Sequence, residues 1–112
     1  QDIPEENKKV EKKYDLCFCL EVAEHIEEGY SDILIKSLTS SSSAIVFSAE
    51  PAAESGVRHI NLKPYEWWIS KFDREKFILD RFLTEHLKQE MIKVGGIQEW
   101  YIRNLLVFKS AV

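Results

Sequence analysis

This chain of 112 residues has no excess of positive charge and no long apolar run. Its 15 Lys and Arg residues are outnumbered by 19 Asp and Glu residues, which gives a net charge of −4. A free-standing nucleic-acid-binding protein needs a basic surface, so we expect nucleic acid to be a poor partner. No apolar segment is long enough to cross a bilayer, and the polar start QDIPEENKKVEKK does not fit a secretory signal. These absences predict a cytoplasmic protein with no membrane partner.

Cysteine is also scarce, and the two cysteines lie two residues apart. Cys17 and Cys19 fall on one face of a predicted strand. Neighbours on one strand face form a poor disulfide, and a lone C-x-C pair is not a zinc site, so we expect two reduced thiols in a core. The apolar share of 45% and the charged share of 30% are those of an ordinary globular protein. The length fits one domain over residues 1–112, with residues 1–13 as a polar lead-in.

The segment YDLCFCLEVAEH, residues 14–25, joins an apolar strand to an acidic turn. Leu16 to Leu20 are all apolar, which predicts a strand covered on both faces in a parallel α/β sheet. Ligands of such sheets bind beyond the carboxyl ends of the strands, and Glu21, Glu24 and His25 follow this strand directly. The same residues also fit a plainer interpretation, in which two acids begin a helix and His25 lies on the surface.

The rest of the sequence alternates between helical and extended patterns. Strands are predicted at 44–49, 77–80 and 100–110. A helix capped by Ser31 or Asp32, a helix that begins at Pro64 and a helix over 81–94 are predicted between them. The apolar residues expected to face inward are Ile33, Leu34 and Leu38 in the first helix, Tyr65, Trp68, Ile69 and Phe72 in the second, and Phe82, Leu83, Leu87, Met91 and Val94 in the third. Trp67 lies off this stripe, and an indole exposed beside a cleft can stack on a flat or cationic group.

A polar loop, residues 50–61, follows the strand predicted at 44–49. In a parallel sheet this loop lies at the same edge as the acidic turn after the first strand. His59 and Asn61 are therefore expected to face the same cleft, although a histidine in a loop is usually solvated.

The segment YDLCFCLEVAEH resembles the fourth strand and following turn of class I S-adenosylmethionine-dependent methyltransferases, in which a strand ending E-V-x-E-H is frequent. The resemblance continues through AIVFSAE, HIN and WYIRNLLVFKS, so it covers nearly the whole chain. It implies an α/β fold, a partial Rossmann-like methyltransferase sheet of strands four to seven with flanking helices, in which the last strand is antiparallel beside the fifth. It also implies transfer of a methyl group from S-adenosyl-L-methionine to a small-molecule acceptor.

The resemblance implies roles for particular residues. The residues that match cofactor-contacting positions are Asp2 and Ile3, at the adenine ring, and Leu20, Glu21 and Val22, at the methionine end. His25 and His59 would orient or deprotonate the acceptor, since neutral imidazole accepts a proton near neutral pH. Glu24 would orient His25 or cap a helix.

One part of the family pattern is missing. The glycine-rich turn that lets the cofactor backbone approach closely is absent, because the four glycines are Gly29, Gly56, Gly95 and Gly96. On this alignment the chain begins just after the third strand and matches the C-terminal half of the domain. We therefore expect this chain alone to bind S-adenosylmethionine weakly or not at all. The predicted first strand would have an unpaired edge, which predicts a homodimer through that edge or marginal stability.

Two alternatives stay open. Small-RNA 3′-terminal ribose 2′-O-methyltransferases also show E-x-x-E-H followed by a further histidine, and these four residues together bind a divalent ion. Glu21, Glu24, His25 and His59 match those residue types, and carboxylates with imidazoles suit Mg²⁺ or Mn²⁺. The other alternative is a non-enzymatic half-domain that acts in dimerisation or partner binding.

Overall fold

Four strands form one open, mixed sheet in the computed structural model, which describes residues 12–52 and 60–112. The strands are β1 (Cys17–Leu20), β2 (Ala44–Ser48), β3 (Phe77–Leu79) and β4 (Leu105–Ser110). Their order in the sheet is β1-β2-β4-β3; β1 and β2 are parallel, and β4 is antiparallel to both of its neighbours. The α/β class and the antiparallel last strand beside β2 are as predicted, and the arrangement is compatible with a Rossmann-like fold.

Helices flank this sheet. They are α1 (Ser31–Ser41), α2 (Tyr65–Arg74), α3 (Arg81–Val94) and α4 (Glu99–Arg103), with short 3₁₀ helices at Ala23–His25 and Glu28–Tyr30. The Asp80 carboxylate accepts a hydrogen bond of 2.9 Å from the backbone nitrogen of Leu83, which caps the start of α3. Asp80 is therefore the N-cap of α3. The sequence pattern predicted that Asp80 would be the last residue of β3, and that prediction is wrong. Within the described ranges, every helix is too short or too polar to cross a membrane.

An aromatic core fills the space between the sheet and α2. Phe47 of β2 lies at its centre, with ring centroids 5.3 Å from Trp68, 5.2 Å from Phe72 and 6.3 Å from Phe108. Phe72 of α2 and Phe108 of β4 stack at 3.9 Å. All four rings are fully buried, because the inward stripe of α2 falls on the face of the sheet that carries Phe47 and Phe108. The predicted inward residues Trp68 and Phe72 are confirmed.

A smaller apolar cluster lies on the other face of the sheet. Val46, Leu105 and Val107 are buried there. Three residues of α3 pack against them, one turn apart: Leu83, Leu87 and Met91. The predictions for Phe82 and Val94 of α3 are wrong, because both side chains are exposed. Phe82 falls outside the stripe of Leu83, Leu87 and Met91, and Val94 is the last residue of the helix.

The strand β1 is not covered on both faces, which corrects the prediction from its apolar sequence. Cys19 is buried with the aromatic core, and Cys17 packs against it. The side chains of Phe18 and Leu16, on the opposite face, are 61% and 44% exposed. Among the residues that the structure describes, Leu20 is the residue of β1 that packs against the cluster covered by α3. Both cysteines are free thiols, as expected.

The inward face of α1 also differs from the prediction. Leu38 is buried and Leu34 packs against the core, as predicted, but Ile33 is exposed, and Ile35 and Thr39 are buried instead. The Thr39 hydroxyl donates to the carbonyl of Ile35 at 2.9 Å, so a polar side chain can occupy this inward stripe. The N-cap is Tyr30, without a side-chain cap, and Ser31 is the first helical residue. Neither Ser31 nor Asp32 therefore caps the helix.

The apolar run predicted a last strand over residues 100–110, but residues 100–104 are not part of that strand. α4 occupies Glu99–Arg103, and the Arg103 guanidinium donates to the carboxylate of Glu99 one turn earlier. Asn104 follows this helix, so β4 begins only at Leu105.

Trp67 is half-buried rather than presented to a cleft. Its ring lies edge-on to Trp68, and the ammonium nitrogens of Lys71 and Lys63 lie 4.5 Å and 5.2 Å from its ring centroid. The cation-binding face that the sequence predicted therefore already holds cations of the same chain.

Candidate functional site

The ends of three neighbouring strands, β1, β2 and β4, lie side by side, and the residues next to these ends form a polar cluster. The register places Leu20 of β1 opposite Ser48 of β2, and Ser48 opposite Leu105 of β4. The carboxyl ends of the two parallel strands therefore coincide with the start of the antiparallel strand. Glu21 follows β1, Glu50 lies just beyond β2, and Asn104 precedes β4. We call this group, with Tyr65 and Arg103, the strand-end cluster.

The Asn104 amide holds the strand-end cluster together. Its nitrogen donates to the carboxylate of Glu21, with distances of 3.3 Å to Oε1 and 3.5 Å to Oε2, and to Oε1 of Glu50 at 3.3 Å. Its oxygen accepts a hydrogen bond of 2.6 Å from the Tyr65 hydroxyl. Asn104 is completely buried. One amide thus links the ends of two strands to the start of α2.

A single guanidinium serves two carboxylates beside this amide. Nη2 of Arg103 lies 2.9 Å from Oε1 of Glu50, and its Nη1 pairs with the exposed Glu99. Glu50 is buried, so its charge needs this partner. The Glu21 carboxylate accepts hydrogen bonds from the Asn104 amide.

The backbone of Glu21 has an uncommon conformation. Its φ is +55°, in the left-handed region that residues other than glycine seldom adopt. Its backbone nitrogen donates to the carbonyl of Ser48 at 2.9 Å and also lies 3.1 Å from the Ser48 hydroxyl. Such conformations cost free energy and persist where the surroundings hold them, often at functional sites.

The environment of Glu21 makes its carboxyl a weaker acid. Burial raises the pKa, and the negative charges of Glu24 and Glu50 add to that rise. Hydrogen bonds from Ser48 and Asn104 oppose it. Because the folded pKa lies above the unfolded value, ionisation of Glu21 costs stability. That cost is absent below the unfolded pKa and complete above the folded pKa.

Glu24 contacts the residues that lead into α2. Its carbonyl accepts hydrogen bonds from the backbone nitrogens of Ile60 at 3.0 Å and Asn61 at 2.9 Å. The Asn61 amide donates to the hydroxyl of Ser31 at 2.9 Å. Both Glu24 and Asn61 are buried. Oε1 of Glu24 and Oδ1 of Asn61 have no hydrogen-bond partner within the described part of the chain.

The structure brings together some of the sequence-predicted residues. The Glu24 carbonyl accepts a hydrogen bond from the backbone nitrogen of Asn61, and the negative charge of Glu24 raises the pKa of Glu21. Leu20 and Val22 flank Glu21, and His25 is exposed at the end of a 3₁₀ helix. The described residues contain no group of three metal-binding side chains. Three predicted residues lie outside the described residues: Asp2, Ile3 and His59.

Most of the strand-end cluster is not apparent from the sequence. Glu50 does carry the same signal as Glu21, because it is an acid that follows a buried strand. Arg103 and Asn104 lie inside an apolar run whose pattern predicts one continuous strand. Tyr65 was assigned to the core, but its hydroxyl reaches Asn104.

Comparison of the chain with protein-family models, with curated proteins and with solved structures finds no match.

Proposed function

We propose that this chain is the C-terminal half of an S-adenosylmethionine-dependent methyltransferase domain that acts on a small molecule. The observation that carries the proposal is the position of Glu21, at the sheet edge where β1 and β2 end and the antiparallel β4 begins. This strand order agrees with the order that the resemblance implies. The edge is also where α/β sheets bind ligands.

The proposed chemistry needs little more than positioning and a proton acceptor. S-adenosylmethionine supplies an activated methyl group when bound. Leu20 and Val22 would line its methionine end, and the carboxylate of Glu21 would face the acceptor. His25, His59 and Glu24 are the residues proposed from the resemblance to orient or deprotonate the acceptor. The raised pKa of Glu21 makes its carboxylate a further candidate for that proton.

A titration of the ¹⁵N-labelled chain with S-adenosylhomocysteine tests this proposal. We expect weak binding, because this sequence contains no glycine-rich turn, with shifts of the amide resonances of Leu20, Glu21 and Val22 at millimolar ligand. Adenosine, which lacks the homocysteine portion, should leave these three resonances unchanged.

Two exposed valines provide a matched pair for this titration. Val22→Trp fills the space beside Glu21 and should weaken binding at least about tenfold, which corresponds to about 1.4 kcal/mol. Val94→Trp changes the same residue type at the distant end of α3 and should have no effect. The proposal is wrong if resonances 20–22 do not move, or if both variants weaken binding equally.

A second candidate function is a non-enzymatic dimerisation module, and the exposure of β1 favours it. β1 pairs with β2 on one side only among the described strands, and Phe18 and Leu16 are exposed beside the unpaired edge. The four residues of β1 include neither proline nor lysine, two residues that often protect such edges. A second copy of β1 would pair there antiparallel, with Phe18 near the two-fold axis.

Sedimentation of wild-type protein and two variants tests the dimer. We expect a dimer for the wild type and a monomer for Phe18→Asp, because a carboxylate on the interface face is desolvated without a partner. Phe82→Asp changes a phenylalanine of α3 that is also exposed and should leave the dimer intact. A monomeric wild-type protein, or dissociation by both variants, would exclude this interface.

A further inference from the structure

The strand-end cluster and its surroundings carry more negative than positive charge. The carboxylates of Glu21 and Glu50 share the Asn104 amide, and Glu24, three residues after Glu21, adds its negative charge to the electrostatic field at Glu21. The guanidinium that the structure places here is that of Arg103, and Glu50 and the exposed Glu99 already share it. Glu21, which is half-buried, is the carboxylate of the three that remains open to a ligand.

Glu24 provides an independent indication of a missing positive partner. Its side chain is 1% exposed, and Oε1 has no hydrogen-bond partner within the described ranges. Its negative charge raises the pKa of Glu21, which lies three residues earlier in the chain. A buried carboxylate oxygen without a donor is costly. Positive charge next to Glu21 would reduce that cost.

A nitrogen cation fits this surrounding better than a metal ion. The described carboxylates do not form a group that could hold a metal, because metal ions need several ligand atoms at short, fixed distances. An ammonium group needs one close acceptor and benefits from further negative charge a few ångströms away. Glu21 supplies the hydrogen-bond acceptor, and the negative charges of Glu24 and Glu50 supply further electrostatic attraction for the ammonium group.

We propose that the methyl acceptor bound at this site is an amine, held as its ammonium ion by the carboxylate of Glu21 with Glu24 and Glu50 behind it. This inference rests on the proposed function. It names the substrate class, whereas the resemblance implies only a small molecule.

The transfer step balances with these groups. The ammonium first gives one proton to the Glu21 carboxylate, which leaves a neutral amine with a lone pair. The lone pair forms the new N–C bond as the C–S bond of a methyl sulfonium donor breaks, and the electron pair of that bond stays on sulfur as a thioether. The methylated nitrogen carries the positive charge, and Glu21 returns its proton to water.

Butylamine, a cation at neutral pH, and butan-1-ol, a neutral molecule of similar length, are the probes that test this site. The ¹⁵N-labelled full chain is titrated with each at about 0.15 M salt, where charges farther apart than about 8 Å are screened. We expect butylamine to shift the Glu21 amide and the Asn104 side-chain NH₂ resonances, with a dissociation constant at least about tenfold below that of butan-1-ol, as expected for a hydrogen bond to a charged group.

Two isosteric variants distinguish this site from general attraction to an acidic protein. Glu21→Gln should reduce the preference for the amine to within about twofold, and unchanged resonances in α3 would show that it folds. Glu85→Gln, on the exposed side of α3, should leave the preference intact. Equal binding of the two probes, or equal losses in the two variants, would overturn the proposal.

The cofactor also contains an amino group, and the same titration separates the two sources. With S-adenosylhomocysteine already bound, an amine acceptor should still shift Glu21 and Asn104. Competition between the two ligands would assign the cation site to the cofactor and overturn the amine proposal. Shifts at residues 20–22 with the cofactor analogue but none with butylamine would reject the amine and keep the methyltransferase.

Discussion

Replacing Asn104 by alanine is expected to lower the free energy of unfolding by about 3 kcal/mol. The Asn104 amide is completely buried and donates to both Glu21 and Glu50, while its oxygen accepts from the Tyr65 hydroxyl. Without it, two carboxylates and a hydroxyl lose a partner at once. Buried polar groups that lose their partner cost more than the bond itself contributed. Urea denaturation followed by circular dichroism measures the loss.

Three comparisons test this explanation of the Asn104 effect. Gln89→Ala removes an exposed amide of α3 and should change stability by less than about 0.5 kcal/mol. Tyr65→Phe removes the single 2.6 Å hydrogen bond to the Asn104 oxygen and should cost about 1 kcal/mol. Asn104→Asp keeps the shape but places a third carboxylate between two others, so its loss should be larger at neutral pH than at acidic pH. If Asn104→Ala costs no more than Gln89→Ala, the amide does not link the strand ends.

Replacing Phe47 by alanine should lower the free energy of unfolding by about 4 kcal/mol. Its ring contacts Trp68, Phe72 and Phe108, and its side chain is completely buried. Truncation removes apolar contact and leaves a cavity among three large rings that cannot close it without moving α2. Since whole domains are stable by about 5–15 kcal/mol, this variant should approach the limit of folding.

Phe82→Ala is the matched control for the core variant. Its ring is 81% exposed, so truncation should change stability by less than about 0.5 kcal/mol. Phe47→Leu, which keeps most of the volume, should cost about 1.5 kcal/mol. Thermal unfolding of the three variants measures this order. Similar losses for Phe47→Ala and Phe82→Ala would mean that the aromatic core does not stabilise the fold.

The sequence predicted the strands and helices better than the covering of their faces. The limits of α3, Arg81–Val94, agree with the prediction, because apolar spacing and the following glycines are local signals. Phe18 is as apolar as Cys19, yet only Cys19 is buried. Which face of β1 is covered depends on where α2 and α3 pack, and the pattern within one strand does not contain that information.

The candidate site shows the same division between local and distant information. Glu21 could be placed at a sheet edge from the apolar run before it, since that run and the acid are adjacent in sequence. The partners of Glu21 come from far along the chain, because Asn104 is 83 residues away. The apolar run 100–110 contains the end of α4 and the start of β4, and Asn104 lies between them. This boundary is visible in the tertiary fold but not in the sequence pattern.

The place of β4 inside the sheet has a consequence for synthesis on the ribosome. Among the described strands, β3 pairs only with β4, and β4 also separates it from β2. A nascent chain that has emerged only as far as Asn104 can pair β1 with β2. At that stage β3 has no strand to pair with, and one edge of β2 is unpaired. The sheet therefore cannot close until Leu105–Ser110 have left the exit tunnel, because β4 is the strand that joins β3 to β2.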